Sequence, residues 1–188
     1  MKKIMFFCLF TIMAMLPVQA NTREEVEFGK CTDGDTAHFK IDGKDTTVRF
    51  LAINAPEYTK TKEPYGKEAS AYVCDALKSA ETIELEYDDG SEKLDKYGRT
   101  LAWVYVDDVL LQEELVKRGL AEVKYLYGDY AYTKELQTLE KEAKKEKINM
   151  WSDGKAAKEA QYDTVCAGSG GRRRIDYFWL VFCEGQAQ

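Results

Sequence analysis

Two Asp-Gly pairs, Asp33-Gly34 and Asp42-Gly43, punctuate a run of short segments with strand-like spacing. Asp-Gly is a strong two-residue hairpin signal, because glycine accepts the positive φ that such turns need. Residues 24–32, 35–41 and 45–53 are therefore expected to form three antiparallel strands in a meander. In the third, Val48, Phe50 and Ala52 are expected on one face and Arg49, Leu51 and Ile53 on the other. Pro56 stops that strand. An arginine inside this apolar run is costly unless its fork meets a carboxylate or a phosphate.

Beyond the meander the period changes. Ala69, Tyr72, Val73, Ala76, Leu77 and Ala80 fall on one helical face, which predicts a helix over 66–80. Ile83, Leu85 and Tyr87 alternate as in a half-buried strand, and residues 100–106 (TLAWVYV) are apolar on both faces, as in a central strand. A second helix is expected over 109–118, stopped by Gly119, and a third over 133–147 with Leu136, Leu139 and Ala143 inward. Three strands, helix, two strands, helix, helix is the order of an α+β protein. It predicts a five-stranded OB-type Greek-key barrel with three helices.

The ends read differently. A basic start (Lys2, Lys3), an apolar run from Ile4 to Leu16 and the small-residue ending Val18-x-Ala20 form a secretory signal, expected to be cleaved after Ala20. Residues 21–153 are then the folded domain. Residues 154–188 form a C-terminal appendage, expected as a hairpin closed by a disulfide. The signal implies a secreted or periplasmic protein with no membrane attachment after cleavage, and a monomer is expected. Without Lys2 and Lys3, 25 basic residues face 33 acidic ones, 25 − 33 = −8. That balance excludes an indiscriminate polyanion binder. Cys31, Cys74, Cys166 and Cys183 remain after the signal, an even count that suits two disulfides in an exported chain. Three pairings are possible; Cys166–Cys183 closes a short loop and is preferred, which leaves Cys31 with Cys74. The single histidine, His38, reads as a surface strand residue. With no C-x-x-C pair beside it, the pattern argues against a zinc site.

Three segments carry potential chemistry. The turn Asp33-Gly34-Asp35-Thr36 presents two carboxylates. Arg49 and Glu57 bracket the proline-stopped strand. Asp95-Lys96-Tyr97-Gly98-Arg99 is a charged turn before the 100–106 strand. Each alone is ordinary. Together, two arginines, a rigid glutamate and an aspartate-rich turn suit phosphodiester hydrolysis: oxygen ligands for a hard cation, guanidinium forks for the growing phosphate charge, and a carboxylate to activate water.

The same segments carry a family resemblance. DGDT at 33–36, VRFLAINAPE at 48–57, EPYGKEASAY at 63–72, DKYGR at 95–99, ELVKRGLAEVKYLY at 114–127 and EAKKEKINMW at 142–151 occur in one order over about 24–152. The chain resembles the staphylococcal nuclease (thermonuclease) family. The resemblance implies an OB-type barrel with three helices and calcium-dependent cleavage of DNA and RNA, leaving 3′-phosphate ends. It implies Arg49 and Arg99 as the phosphate clamp and Glu57 as general base. It implies Asp35 and the Ala55 main-chain carbonyl as Ca2+ ligands, Lys96 at a terminal phosphate, and Tyr97, Tyr125 and Tyr127 in the nucleotide pocket. Stacking on unpaired bases tolerates any sequence, so single-stranded nucleic acid is the expected preference. Asn54 departs from the family, which places a calcium-binding aspartate there. Asparagine keeps one carbonyl oxygen and loses a charge, so weaker metal binding is expected.

Two alternatives stand beside the nuclease. A catalytically weak or inactive nucleic-acid-binding OB module is favoured by Asn54. An exported protein-interaction domain is favoured by the acidic surface. Retention of Arg49, Glu57 and Arg99 argues for the enzyme. Arg172-Arg173-Arg174 with Tyr177, Phe178 and Trp179 reads as a solvated hairpin tip, with nucleic-acid contact the alternative.

Overall fold

The computed structural model describes residues 22–152. The expected signal segment and the C-terminal appendage, with Cys166, Cys183 and the arginine triplet, lie outside the described residues. Strands β1 (Arg23–Glu25), β2 (Glu27–Asp33), β3 (Thr36–Ile41), β4 (Lys44–Phe50) and β5 (Ile53–Asn54) come first, followed by helix α1 (Gly66–Ser79). Then come β6 (Ile83–Glu86), β7 (Thr100–Val106), β8 (Val109–Leu110), α2 (Leu111–Lys117), β9 (Glu122–Val123), α3 (Thr133–Glu146) and a 3-10 turn at Asn149–Trp151.

The main sheet runs β1-β6-β7-β4-β3-β2, with β8 beside β7. β1 and β2 are consecutive, separated only by Val26, whose amide donates to Ile83 O. One stretch of chain thus pairs with β6 through its first part and with β3 through its second. That stretch closes the sheet into a five-stranded barrel, with β4 and β7 as the parallel pair. The fold is the α+β OB-type barrel with three helices. Full closure leaves no long unpaired edge.

The barrel interior is filled by Phe39, Phe50, Leu85 and Val104, each essentially inaccessible to solvent. Fully buried Gln112 of α2 bonds both ways to β7: its Nε2 donates to Ala102 O at 3.0 Å, and its Oε1 accepts from Val104 N–H at 3.1 Å. A buried amide needs both partners, and here they fix α2 against the central strand. Trp151 packs beside Gly119, under the Lys144 ammonium 4.3 Å from its ring.

The structure corrects the expected third strand. It ends at Phe50 rather than 53, and alternation stops there, since every residue from Val48 to Ile53 is buried. Ala52 takes φ 60, a left-handed conformation that bends the chain before β5. Helix α2 begins at Leu111 rather than 109, because Val109 and Leu110 pair with β7 first. His38 lies on β3 as a strand residue, but with partners. Its ring lies 3.2 Å from Asp45 and 3.4 Å from Thr47, both cross-strand on β4, and its side chain is mostly covered.

Cys31 of β2 and Cys74 of α1 form a disulfide across a sequence separation of 43. It ties the strand leading into the Asp33–Thr36 turn to the helix behind it. Constraining a loop of that size contributes about 2–4 kcal/mol. Cys31→Ala with Cys74→Ala should lower unfolding free energy by about that amount in urea melts, and reductant should reproduce the loss in the unmutated protein.

Candidate active site

Three short segments meet at one end of the barrel: the 34–35 turn, the chain from Asn54 to Glu57, and the start of α1. They are packed too closely for side chains at two positions. A Cβ on Gly34 would stand 2.7 Å from Ala55 Cβ and 2.8 Å from Ala69 Cβ. A Cβ on Gly66 would stand 2.6 Å from Glu57 O. Real contacts of this kind are essentially never so short, so both glycines are required by the approach itself.

Arg49 is the hub. Its Nη2 lies 3.0 Å from Asp35 Oδ2, and the two side chains are 10% and 13% exposed. The same fork donates to Phe50 O at 2.8 Å and Ile53 O at 2.9 Å. These are the carbonyls on either side of the Ala52 bend. A buried arginine is tolerable because its N–H groups are met. Burial pulls its pKa down, Asp35 opposes that, and the Arg99 charge pulls it down further. Arg99 is therefore close enough for the two guanidiniums to sense each other.

Asp35 is held from three sides. Its Oδ2 also accepts from Ala55 N–H at 3.0 Å, and its Oδ1 accepts from Thr36 Oγ1 at 2.9 Å. Asn54 lies across from Glu122 in the β5–β9 pair, and its Nδ2 donates to Glu122 Oε1 at 3.2 Å.

Glu57 is fixed by its own loop. Its amide donates to Glu63 Oε2 at 2.9 Å, while its carbonyl accepts from Glu63 N–H at 2.9 Å. Its Oε1 accepts from Thr59 Oγ1, from Thr59 N–H at 3.0 Å and from Lys60 N–H at 3.3 Å. The carboxyl is further hydrogen-bonded to Asp33. Burial, reinforced by that bond, raises the Asp33 pKa to about 7. The Asp33 bond, followed by those from Thr59, lowers that of Glu57 to about 2. The two carboxyls share a hydrogen, and the Thr59 and Lys60 amides that donate to Glu57 favour its ionised form.

The Asp95–Arg99 turn before β7 keeps its own cation restrained. Arg99 Nε donates to Asp95 Oδ2 at 2.6 Å. Burial raises the Asp95 pKa, but hydrogen bonds from Arg99 and Tyr97 outweigh it, and the net shift is downward. Tyr97 is 72% exposed, with the Lys96 ammonium 5.0 Å and the Arg99 guanidinium 5.5 Å from its ring. On the far side Tyr125 and Tyr127 lie 6.2 Å apart, and the Arg49 guanidinium is 5.6 Å from the Tyr125 ring. Tyr127 is 85% exposed. These rings are available to a ligand, and Tyr125 takes φ 60, an uncommon conformation for a bulky residue.

The structure thus gathers Asp35, Arg49, Asn54, Ala55, Glu57 and Tyr125 around one bend, and links Arg99 to them electrostatically. Of four supporting residues, sequence reasoning gave a role only to Asp33, as a carboxylate of the acidic turn offered to a hard cation. Asp33 was legible as half of an acidic turn, whereas Thr59, Glu63 and Glu122 carry no local signal. Among the described residues, no group of three or more His, Cys, Asp and Glu is arranged to hold a metal ion. The candidate oxygens here come instead from one carboxylate, one amide and one main-chain carbonyl: Asp35, Asn54 and Ala55. All are hard donors of the type calcium takes, so the set fits that ion in chemistry, with a low ligand charge.

The family profile described as Staphylococcal nuclease homologue matches residues 47–153, more than half of the chain. The chain belongs to the staphylococcal nuclease family. Similar relatives include the SPbeta prophage-derived endonuclease YokF of Bacillus subtilis (strain 168), 41% identical over 132 residues, which are 68% of this chain and 44% of YokF. Endonuclease YncB of the same organism is 40% identical over 131 residues, 68% of this chain and 61% of its own length. The thermonuclease of Staphylococcus hyicus is 38% identical over 124 residues, 64% of this chain and 72% of its own. The chain spans less than two thirds of YokF and of YncB. The family match covers every candidate site residue except Asp35 of the β2–β3 turn.

The shared proton has a measurable consequence in EDTA. The raised Asp33 pKa means the folded state binds more protons than the unfolded chain between the ordinary aspartate range and about 7, so stability falls as pH rises through that window. The lowered Glu57 pKa acts oppositely, and its contribution is lost as pH falls from the ordinary glutamate range towards about 2. Asp33→Asn keeps a donor for Glu57 without a titrating proton. Urea melts should show it more stable than the unmutated protein at pH 8 and indistinguishable from it at pH 5.

Proposed function

We propose that the protein is an exported nuclease that hydrolyses phosphodiester bonds in DNA and RNA with the aid of calcium, acting as a monomer on single strands by preference. The observation that carries this reading is the juxtaposition of the Asp35–Arg49 pair with an ionised, loop-fixed Glu57. Anion-binding, oxygen-donating and proton-accepting groups converge there on one bend. Family membership supports the same reading, and relatives carry the names endonuclease and thermonuclease.

Asp35, Asn54 and the Ala55 carbonyl would hold the calcium ion. Bound there, the ion neutralises negative charge on the phosphate. Arg49 and Arg99 donate to phosphate oxygens and stabilise the added charge of the transition state. Glu57 accepts a proton from the attacking water, a role its ionised state allows. Lys96 contacts a terminal phosphate. Tyr97, Tyr125 and Tyr127 offer faces to unpaired bases, which gives affinity without sequence preference. The amino-terminal reading as a secretory signal supports a secreted or periplasmic location, and the Cys31–Cys74 bond suits an oxidising compartment. Among the described residues no helix is long and apolar enough to cross a membrane.

Asn54 supports a second reading, a module that holds nucleic acid without cutting it. The deciding experiment is cleavage of single-stranded DNA and RNA by residues 21–188, with calcium titrated to high millimolar and EDTA as control. Calcium-dependent cleavage is expected; binding without cleavage at any calcium level would favour the second reading. Glu57→Gln should reduce turnover by about 10²-fold or more while the folded structure, followed by circular dichroism, is retained. Arg99→Ala should lower kcat more than it raises KM, the pattern of a group that acts in the transition state.

A further inference from the structure

We infer that Glu122 is a positioning residue for the metal site: by accepting from Asn54 Nδ2, it turns Asn54 Oδ1 towards the place where a hard cation would bind. The inference rests on the calcium reading above and adds a residue on a separate element. An asparagine amide has a donor end and an acceptor end, and only the acceptor can serve a cation. An aspartate would need no such guidance, because both of its oxygens accept. With asparagine at 54, something must decide which end faces the site.

Glu122 can decide it. An ionised carboxylate only accepts, so the end of Asn54 that meets it is necessarily Nδ2, and the contact is 3.2 Å. The two residues are direct cross-strand partners, and β9 is fixed independently of them. Lys124 N–H donates to Ala52 O at 2.9 Å, and Val123 N–H donates to Glu140 Oε1 of α3 at 3.0 Å. Glu122 is itself held, because Lys124 Nζ donates to the same Oε1 at 2.6 Å. That oxygen therefore faces Asn54 with its rotamer set. Aspartate at 54 would set two acceptor-only groups against each other at this short range, with no N–H between them to donate. Asn54 and Glu122 are thus matched: the amide suits the acidic neighbour, and the acidic neighbour directs the amide.

The test is calcium binding rather than cleavage. Melting temperature is followed as calcium chloride is raised to tens of millimolar at constant ionic strength, and the apparent Kd is taken from the shift. Four variants are compared: Glu122→Met, Glu122→Gln, Asn54→Ala and the double variant Asn54→Ala with Glu122→Met. Methionine removes the acceptor, so Glu122→Met should raise the apparent Kd about fivefold, the worth of one hydrogen bond. Glutamine keeps an acceptor, held towards Asn54 by Lys124, and Glu122→Gln should stay within about twofold of the unmutated protein. In the Asn54→Ala background, Glu122→Met should cause no further loss, because its route to the metal is gone. Equal losses for Glu122→Met and Glu122→Gln would assign the effect to charge alone and overturn the inference. So would an unchanged Kd for Glu122→Met, or a loss that persists without Asn54. If the unmutated protein shows no calcium-dependent shift, the inference and the calcium reading fall together, whereas failure of the variants alone leaves that reading standing.

Discussion

The buried contact between Arg49 and Asp35 governs the geometry of everything around it. Placing two charges away from water is costly, and such a pair persists where partners meet its remaining hydrogen-bonding groups. Here the guanidinium also takes the carbonyls of Phe50 and Ile53, while the carboxylate takes the Ala55 amide. The pair therefore does two things at once. It holds the chain in its bend after β4, and it positions the acidic turn against the segment that bears Asn54 and Glu57. A purely apolar residue at 49 could fill the volume but could not gather those carbonyls.

Much of the architecture was legible because it rests on local rules. The two Asp-Gly turns, the helical spacing of 66–80 and the apolar run 100–106 each follow from short-range physics, and each is found close to its expected place. The end of the third strand was not legible. Its residues continue an apolar pattern through Ile53, and the bend at Ala52 comes from the carbonyl grip of Arg49, a contact that no propensity at 51–52 announces. The division of the first strand at Val26 is likewise a consequence of pairing with two different neighbours. β5 and β9 are two residues each, below the length at which periodicity carries a signal.

The site divides along the same line. Asp35, Arg49 and Glu57 stood out because each is chemically conspicuous within its own segment. Their supports did not. Glu63 clamps the Glu57 main chain from six residues away, and Glu122 reaches Asn54 across 68 residues of sequence. Both are unremarkable acids until the fold sets them beside their partners. The departure at 54, read alone, is a lost charge; beside Glu122 it becomes half of an interaction.

Closure of the barrel by the first strand bears on how the chain reaches this structure. Arg23 to Glu25 pair with Glu84 to Glu86, so the earliest segment of the barrel to be made waits for one about sixty residues later. Pairings of such long sequence separation are slow, because loop entropy is lost before contacts compensate it. The meander of β2, β3 and β4 can assemble from neighbours alone, and the Cys31–Cys74 bond can then tether α1 to it. The barrel in this view is completed from its local half outward. Its opening strand thus supplies one of the two long-range seams that turn a local meander into a closed cylinder, the other being the parallel contact of β4 with β7.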